Sequence, residues 1–140
     1  MSMIIGTETT AKVQTQPRGK MLAYWTVTIF LAMSITLSGI GQLMRIGGNI
    51  ELVTNIGYPL YITTILGTCK ILGVIAIVVP RFPRLKEWAH AGLFFLMTGA
   101  ALSHAFADDY GDYGFHFILP LLYASLNIAS WALRPKSRKL

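Results

Sequence analysis

Leu60–Val79 reads LYITTILGTCKILGVIAIVV, a run of 20 residues with a single charge, Lys70, near its middle. A helix rises about 1.5 Å per residue, so about 20 apolar residues cross the hydrocarbon core of a bilayer. This run has that length, and it stops at the stiff turn Pro80-Arg81-Phe82-Pro83. Three further stretches have the same character: Leu22–Leu43, Trp88–Phe106 and Phe117–Leu133. Pro120 falls in the first turn of the last, where a missing N–H is tolerated. The fold class is therefore all-α. The chain reads as a polytopic membrane protein, an up-down bundle of four spans at about 22–43, 60–79, 88–106 and 117–133.

The connections are short. Asn49 is a plausible N-cap for a segment over Ile50–Ile56, closed by Gly57 and Pro59. Ile50, Val53 and Ile56 share one side of it, so a short amphipathic helix is expected on the outer face. The first apolar run is too long for a signal-peptide core, and no small-residue cleavage site follows it. It reads as a retained helix. The domain plan is a flexible cytoplasmic tail over residues 1–20, a membrane domain over 21–135 and a basic cytoplasmic tail over 136–140.

Of the 140 residues, 54% are hydrophobic and 13% charged, too few charges to cover a soluble surface. The net charge of +6 does not point to nucleic acid, because its distribution is one-sided. Ten of the twelve basic residues fall in the N-terminal tail, the Arg81–Lys86 loop and the C-terminus. Glu51, Asp108, Asp109 and Asp112 fall on the opposite side. The excess of Lys and Arg predicts both termini in the cytoplasm, in an inner (plasma) membrane. Trp25, Trp88 and Trp131 mark the cytoplasmic interface, and Tyr58, Tyr61, Tyr110 and Tyr113 the outer one. The basic side should also attract anionic lipid headgroups.

Lys70 is the residue that needs explaining. A charge at that depth costs about 3 kcal/mol or more unless it has partners. Helical spacing puts Thr63, Gly67, Lys70 and Val74 on one stripe and Pro120, Tyr123, Asn127 and Ser130 on another. The first helix offers Ser34, Ser38 and Gly41, with Gln42 alongside, and the third Gly92, Leu96, Gly99 and Ser103. Small and polar faces should meet inside the bundle. Depth matching puts Asn127, Ser34 and Thr98 near the level of Lys70, which supplies hydrogen-bond partners but no counter-ion. The candidate ligand site is Lys70, Asn127, Tyr123, Ser38, Gln42 and His104. Two readings compete. Lys70 either fixes helix register, held by Asn127 and backbone carbonyls, or lines a polar cavity that takes a quinone or a lipid headgroup.

His104 and His116 fall near the outer ends of adjacent antiparallel helices, at comparable depth. Bis-His haem is the cofactor that this would suit, but interfacial histidines are common without one and haem is the disfavoured reading. No acid or Cys joins them at ligand spacing, so no metal is expected, and the acidic loop Asp108–Asp112 reads as solvated. Cys69 alone excludes an intramolecular disulfide and is expected as a small buried side chain. No nucleophile elbow, phosphate loop or paired intramembrane carboxylate is present, so the expectation is a protein without catalytic activity of its own.

The motifs Ser38-Gly39-Ile40-Gly41-Gln42-Leu43, Glu51-Leu52 and Ile56-Gly57-Tyr58-Pro59 carry a family resemblance. So do Ile65-Leu66-Gly67-Thr68-Cys69-Lys70-Ile71-Leu72-Gly73 and Pro80-Arg81-Phe82-Pro83-Arg84-Leu85-Lys86-Glu87-Trp88-Ala89. Ser103-His104 and Trp131-Ala132-Leu133-Arg134-Pro135 continue it. Together they resemble the DoxX-like membrane proteins over about residues 22 to 135. Gln42 stands where many relatives carry Lys. The resemblance implies a four-helix membrane fold and an association with quinone-linked redox partners, since founding members are small subunits of a quinone-reducing thiosulfate oxidoreductase. The function expected is thus a quinone- or lipid-binding accessory subunit of a membrane redox system. The alternative is a membrane scaffold or assembly factor with Lys70 as a register residue. Its partners would be membrane lipids, a redox protein and, in a homodimer, a second copy. Nucleic acid is not among them.

Overall fold

The computed structural model describes residues 15–140, so residues 1–14 of the expected tail lie outside the described residues. The described residues form five α-helices: α1 (Arg18–Met44), α2 (Glu51–Thr54), α3 (Tyr61–Val78), α4 (Pro83–Phe106) and α5 (Phe115–Leu133). Four of these, all but α2, are long and apolar enough to cross a membrane. Their outward faces carry Leu22, Phe30, Leu37, Leu72, Phe95 and Leu102, each more than half exposed. Such a girdle would drive aggregation in water. In hydrocarbon it costs nothing, and the fold is that of an all-α polytopic membrane protein.

The four long helices close a ring in which α1 packs on α3, α3 on α4, α4 on α5 and α5 on α1. The pairs α1/α4 and α3/α5 are therefore diagonal. Leu31, Ile35, Ile77, Leu93, Met97 and Ala124 form the apolar core. On α1 the interior stripe is Tyr24, Thr28, Leu31, Ile35, Gly39 and Gln42, and on α4 it is Lys86, His90, Leu93, Met97, Ala101 and His104. Both differ from expectation. Ser34, Ser38 and Gly41 flank the α1 stripe, half-buried. Gly92 faces outward on α4, where an added Cβ would meet nothing within 4 Å, whereas Leu96, Gly99 and Ser103 of the expected stripe line the cavity described below. Small residues on α4 do not mark the packing face; Lys86, His90 and His104 do, because polar atoms leave lipid first. The expected α3 stripe is observed, with Thr63 and Gly67 buried and Lys70 and Val74 half-buried.

The end where α1 begins and α5 finishes is tied by charge. Helix α4 starts at Pro83, in the N1 position that suits proline, and not at Trp88. That brings Lys86 into the first turns, where it is fully buried. Its ammonium donates to the carbonyls of Ala76 (3.1 Å), Ile77 (2.9 Å) and Val79. These belong to the last turn of α3, whose carbonyls have no helical partner. Arg138 adds donors to Ile77 and Val78. Glu87 pairs with the buried Arg134 at 2.5 Å and accepts from the Trp131 indole at 2.7 Å. Lys86 is thus a buried cap and not one of the loop charges that face lipid headgroups. Cys69 lies exposed on α3, not buried as expected.

Between α1 and α3, the short α2 replaces the longer helix expected over Ile50–Ile56. It buries Val53 toward the bundle.

Candidate functional site

At the end where α1 finishes and α5 begins, the ring encloses a cavity of about 420 Å³, within the range of small-molecule sites. Ile35, Ser38 and Gln42 of α1, and Ile62, Leu66 and Lys70 of α3, form one wall. Leu119, Pro120 and Tyr123 of α5 form another. Leu52, Val53 and Ile56, in and beside α2, cover it. Pro120 lines the cavity too; α5 starts at Phe115, so Pro120 is its sixth residue rather than part of the first turn as expected, and the helix lacks the bond an N–H there would give to the His116 carbonyl.

The lining also includes Phe95 and Gly99 of α4, both exposed. The cavity therefore opens sideways between α3 and α4. The two helices are pinned on either side of this gap. Gly73 of α3 lies against Leu93 of α4, close enough that a Cβ would sit 3.3 Å from the leucine. Toward the far end, the hydroxyls of Tyr58 and Ser103 are 3.0 Å apart. Ser103 spends its own hydrogen on the Gly99 carbonyl, so Tyr58 is the donor.

Lys70 donates to Ser38 Oγ at 2.9 Å, joining α3 to α1 on the cavity wall. Gln42, 7% exposed, keeps its Oε1 buried without a hydrogen-bond partner. A buried polar atom left unpaired costs about 1–3 kcal/mol, so α1 carries an unanswered acceptor behind the cavity wall. Tyr123, Ser103, His104, Tyr58 and Asn49 complete the polar lining.

Five of the six residues expected at the site, Lys70, Tyr123, Ser38, Gln42 and His104, line this one cavity. Asn127 does not. Its Oδ1 accepts from His90 Nδ1 at 2.8 Å, and its Nδ2 donates to the His90 carbonyl at 2.8 Å. Depth matching placed Asn127 level with Lys70 but said nothing of azimuth. Helix α5 is diagonal to α3, so Asn127 reaches α4 instead. Asn127 is 1% exposed and His90 4%. Replacing Asn127 with Leu leaves the buried His90 Nδ1–H unpaired, a loss of about 1–3 kcal/mol, while the His90 carbonyl keeps its helical donor. The expected result is a clear fall in apparent Tm in detergent, with the contents of the cavity unchanged; altered ligand content would put Asn127 back in the site.

His104 and His116 do come together, with ring centroids 5.1 Å apart. An acid joins them, which the sequence reading missed. His104 Nδ1 lies 3.0 Å from Asp109 Oδ2, and His116 Nδ1 lies 3.1 Å from Asp109 Oδ1. The two Nδ1 atoms turn toward this carboxylate, not toward opposite faces of a macrocycle. Partial burial pushes the Asp109 carboxyl up, but the hydrogen bonds from His116 and His104 outweigh it and hold the group below the usual aspartate range.

The family model described as the DoxX-like family matches residues 26–130. No curated protein and no solved structure shows significant similarity to the chain.

Proposed function

The chain belongs to the DoxX-like family, and on that premise we propose that it binds one amphiphile, a quinone or a lipid, as an accessory subunit of a membrane redox system. The observation that carries this reading is the side-opening cavity with Lys70 and Ser38 hydrogen-bonded on its wall. Its lining is mainly apolar with a few convergent polar groups, the usual composition of a small-molecule site. A carbonyl or anionic head would accept from Lys70 or Ser38. The gap between α3 and α4 faces the layer where acyl or isoprenoid chains lie, so a tail can leave the cavity without crossing polar groups. In this reading both termini are cytoplasmic, in a plasma membrane, and electron transfer belongs to a partner protein.

The test is the extract of purified protein. Wild type should carry a quinone or lipid through purification in a detergent with no lipid added. Lys70→Met should carry about tenfold less or lower, since a hydrogen bond from a charged donor is worth roughly 1.5–3 kcal/mol. Equal content in the two proteins, or none in either, defeats the proposal.

A second reading has its own support. A Cβ on Gly39 would lie 3.2 Å from Lys70 Cβ, so the lysine stem is part of the α1/α3 crossing. In a scaffold or assembly factor, Lys70 would act as the register residue of that crossing. Lys70→Met would then lower stability or change oligomeric state and leave ligand content alone.

A further inference from the structure

We propose that His104, Asp109 and His116 form a binding site for one divalent transition-metal ion of the zinc class, beside the cavity. The ligand atoms of the three residues all lie within 4.8 Å of one another. Zinc holds nitrogen and oxygen ligands at about 2.0–2.2 Å, which puts neighbouring ligand atoms roughly 3–3.5 Å apart. The observed Nδ1–carboxylate separations, 3.0 and 3.1 Å, are already in that range. Two imidazoles and one carboxylate suit zinc, cobalt or ferrous iron. Calcium and magnesium prefer oxygen alone, and cuprous copper prefers sulfur.

The protein backbone holds this geometry in place. His104 is in the last turn of α4 and His116 in the first turn of α5. The Asp109 N–H donates to the His104 carbonyl at 2.9 Å, and the His116 N–H to the Tyr110 carbonyl at 3.0 Å. Gly111 has φ +63°, and a Cβ there would lie 2.7 Å from His116 Cδ2. Only glycine lets the loop close on that ring.

The same atoms can satisfy one another as a hydrogen-bonded staple, with a proton on each Nδ1. Metal loading moves each ring proton to Nε2 and replaces two N–H···O contacts with one ion bound by all three residues. The exchange needs a way in. The side chains of Asp109 and His116 are 27% and 29% exposed, which leaves room for the ion to enter and for water as a further ligand. His104, 8% exposed, lines the cavity, so the site and the cavity share a wall.

The test uses full-length protein carrying a tag without histidine, stripped with EDTA, in detergent or nanodiscs, and titrated with Co(II). Wild type should bind one Co(II) per chain with visible d–d absorption, and Zn(II) should displace it. Asp109→Asn should weaken Co(II) at least about tenfold, as loss of even an outer-shell partner commonly does. His116→Gln, altered at a partly exposed position, gives the same readout should Asp109→Asn fail to fold. Asp112→Asn, an exposed neighbour, should leave the affinity unchanged. Zn(II) should raise the apparent Tm of wild type but not of the two ligand variants. Absence of stoichiometric Co(II) binding, or equal affinity in wild type and variants, overturns the site and leaves the staple.

Discussion

Replacing Lys86 with Met should be among the most damaging single changes in the chain, at about 3 kcal/mol. The ammonium is fully buried and donates to three carbonyls at the C-terminus of α3. Those carbonyls have no helical donor, and in a bilayer no water comes to relieve them. Methionine fills most of the volume but donates nothing. Each abandoned carbonyl then costs about 1–3 kcal/mol. Arg138 still reaches Ile77 at 3.3 Å, so the loss is partial rather than complete. For a chain of this size the fall in apparent Tm should be on the order of 10 °C. Arg84 sits in the same turn of α4 and is exposed, so Arg84→Met is the matched control. A change no larger than the control's would mean that the α3 terminus is satisfied without Lys86. Arginine is not a safe substitute, because a longer planar fork has no room in a pocket shaped to a compact ammonium.

Lys86 also shows where sequence reasoning stops. The spans were legible because about 20 apolar residues have one use. The start of α4 was not. Pro83 is a good N1 residue, but the apolar run begins only at Trp88, and hydropathy was followed instead. The five intervening residues then passed for loop, and a buried cap passed for a surface charge. The spacing Lys86, His90, Leu93, Met97 was available as the alternative signal. It places two polar side chains on the same stripe as two large apolar ones, which Gly92 and Gly99 do not.

Most of the site's residues were legible for a similar reason. Polar atoms in a span avoid lipid, so Lys70, Ser38, Gln42, Tyr123 and His104 had to turn inward, and they line one cavity. Pairing was harder. A helix axis gives depth from residue number, but which neighbour a side chain meets depends on the order of helices round the ring. Asn127 was matched on depth alone, and its neighbour is His90 of α4. The His104–Asp109–His116 group was hidden for another reason. Asp109 belongs to no helix, and its approach to both rings depends on the loop path through Asp108 (φ +53°) and Gly111 (φ +63°). No periodicity reports such a path.

Gly67→Ala should damage the bundle where Gly92→Ala should not, although both add one methyl group to a long helix. At Gly67 the new Cβ would lie 2.7 Å from the Gly39 carbonyl oxygen and 2.8 Å from Leu43 Cγ. The first of these is backbone, so relief requires α1 and α3 to move apart as bodies. Overpacking of this kind costs about 1–3 kcal/mol, and the upper end applies where no side chain can rotate away. The separation would also stretch the Lys70–Ser38 hydrogen bond, because Ser38 adjoins Gly39 and Lys70 lies one turn from Gly67. Ligand content should therefore fall together with stability. At Gly92 the added methyl meets open space within 4 Å, and alanine gains up to about 1 kcal/mol of helix propensity. Thermal unfolding of the two variants in one detergent compares them directly. Equal Tm values would show that α1 and α3 do not cross at Gly39 and Gly67. A loss of stability at Gly67 with full ligand retention would instead separate the crossing from the cavity and favour the scaffold role of Lys70.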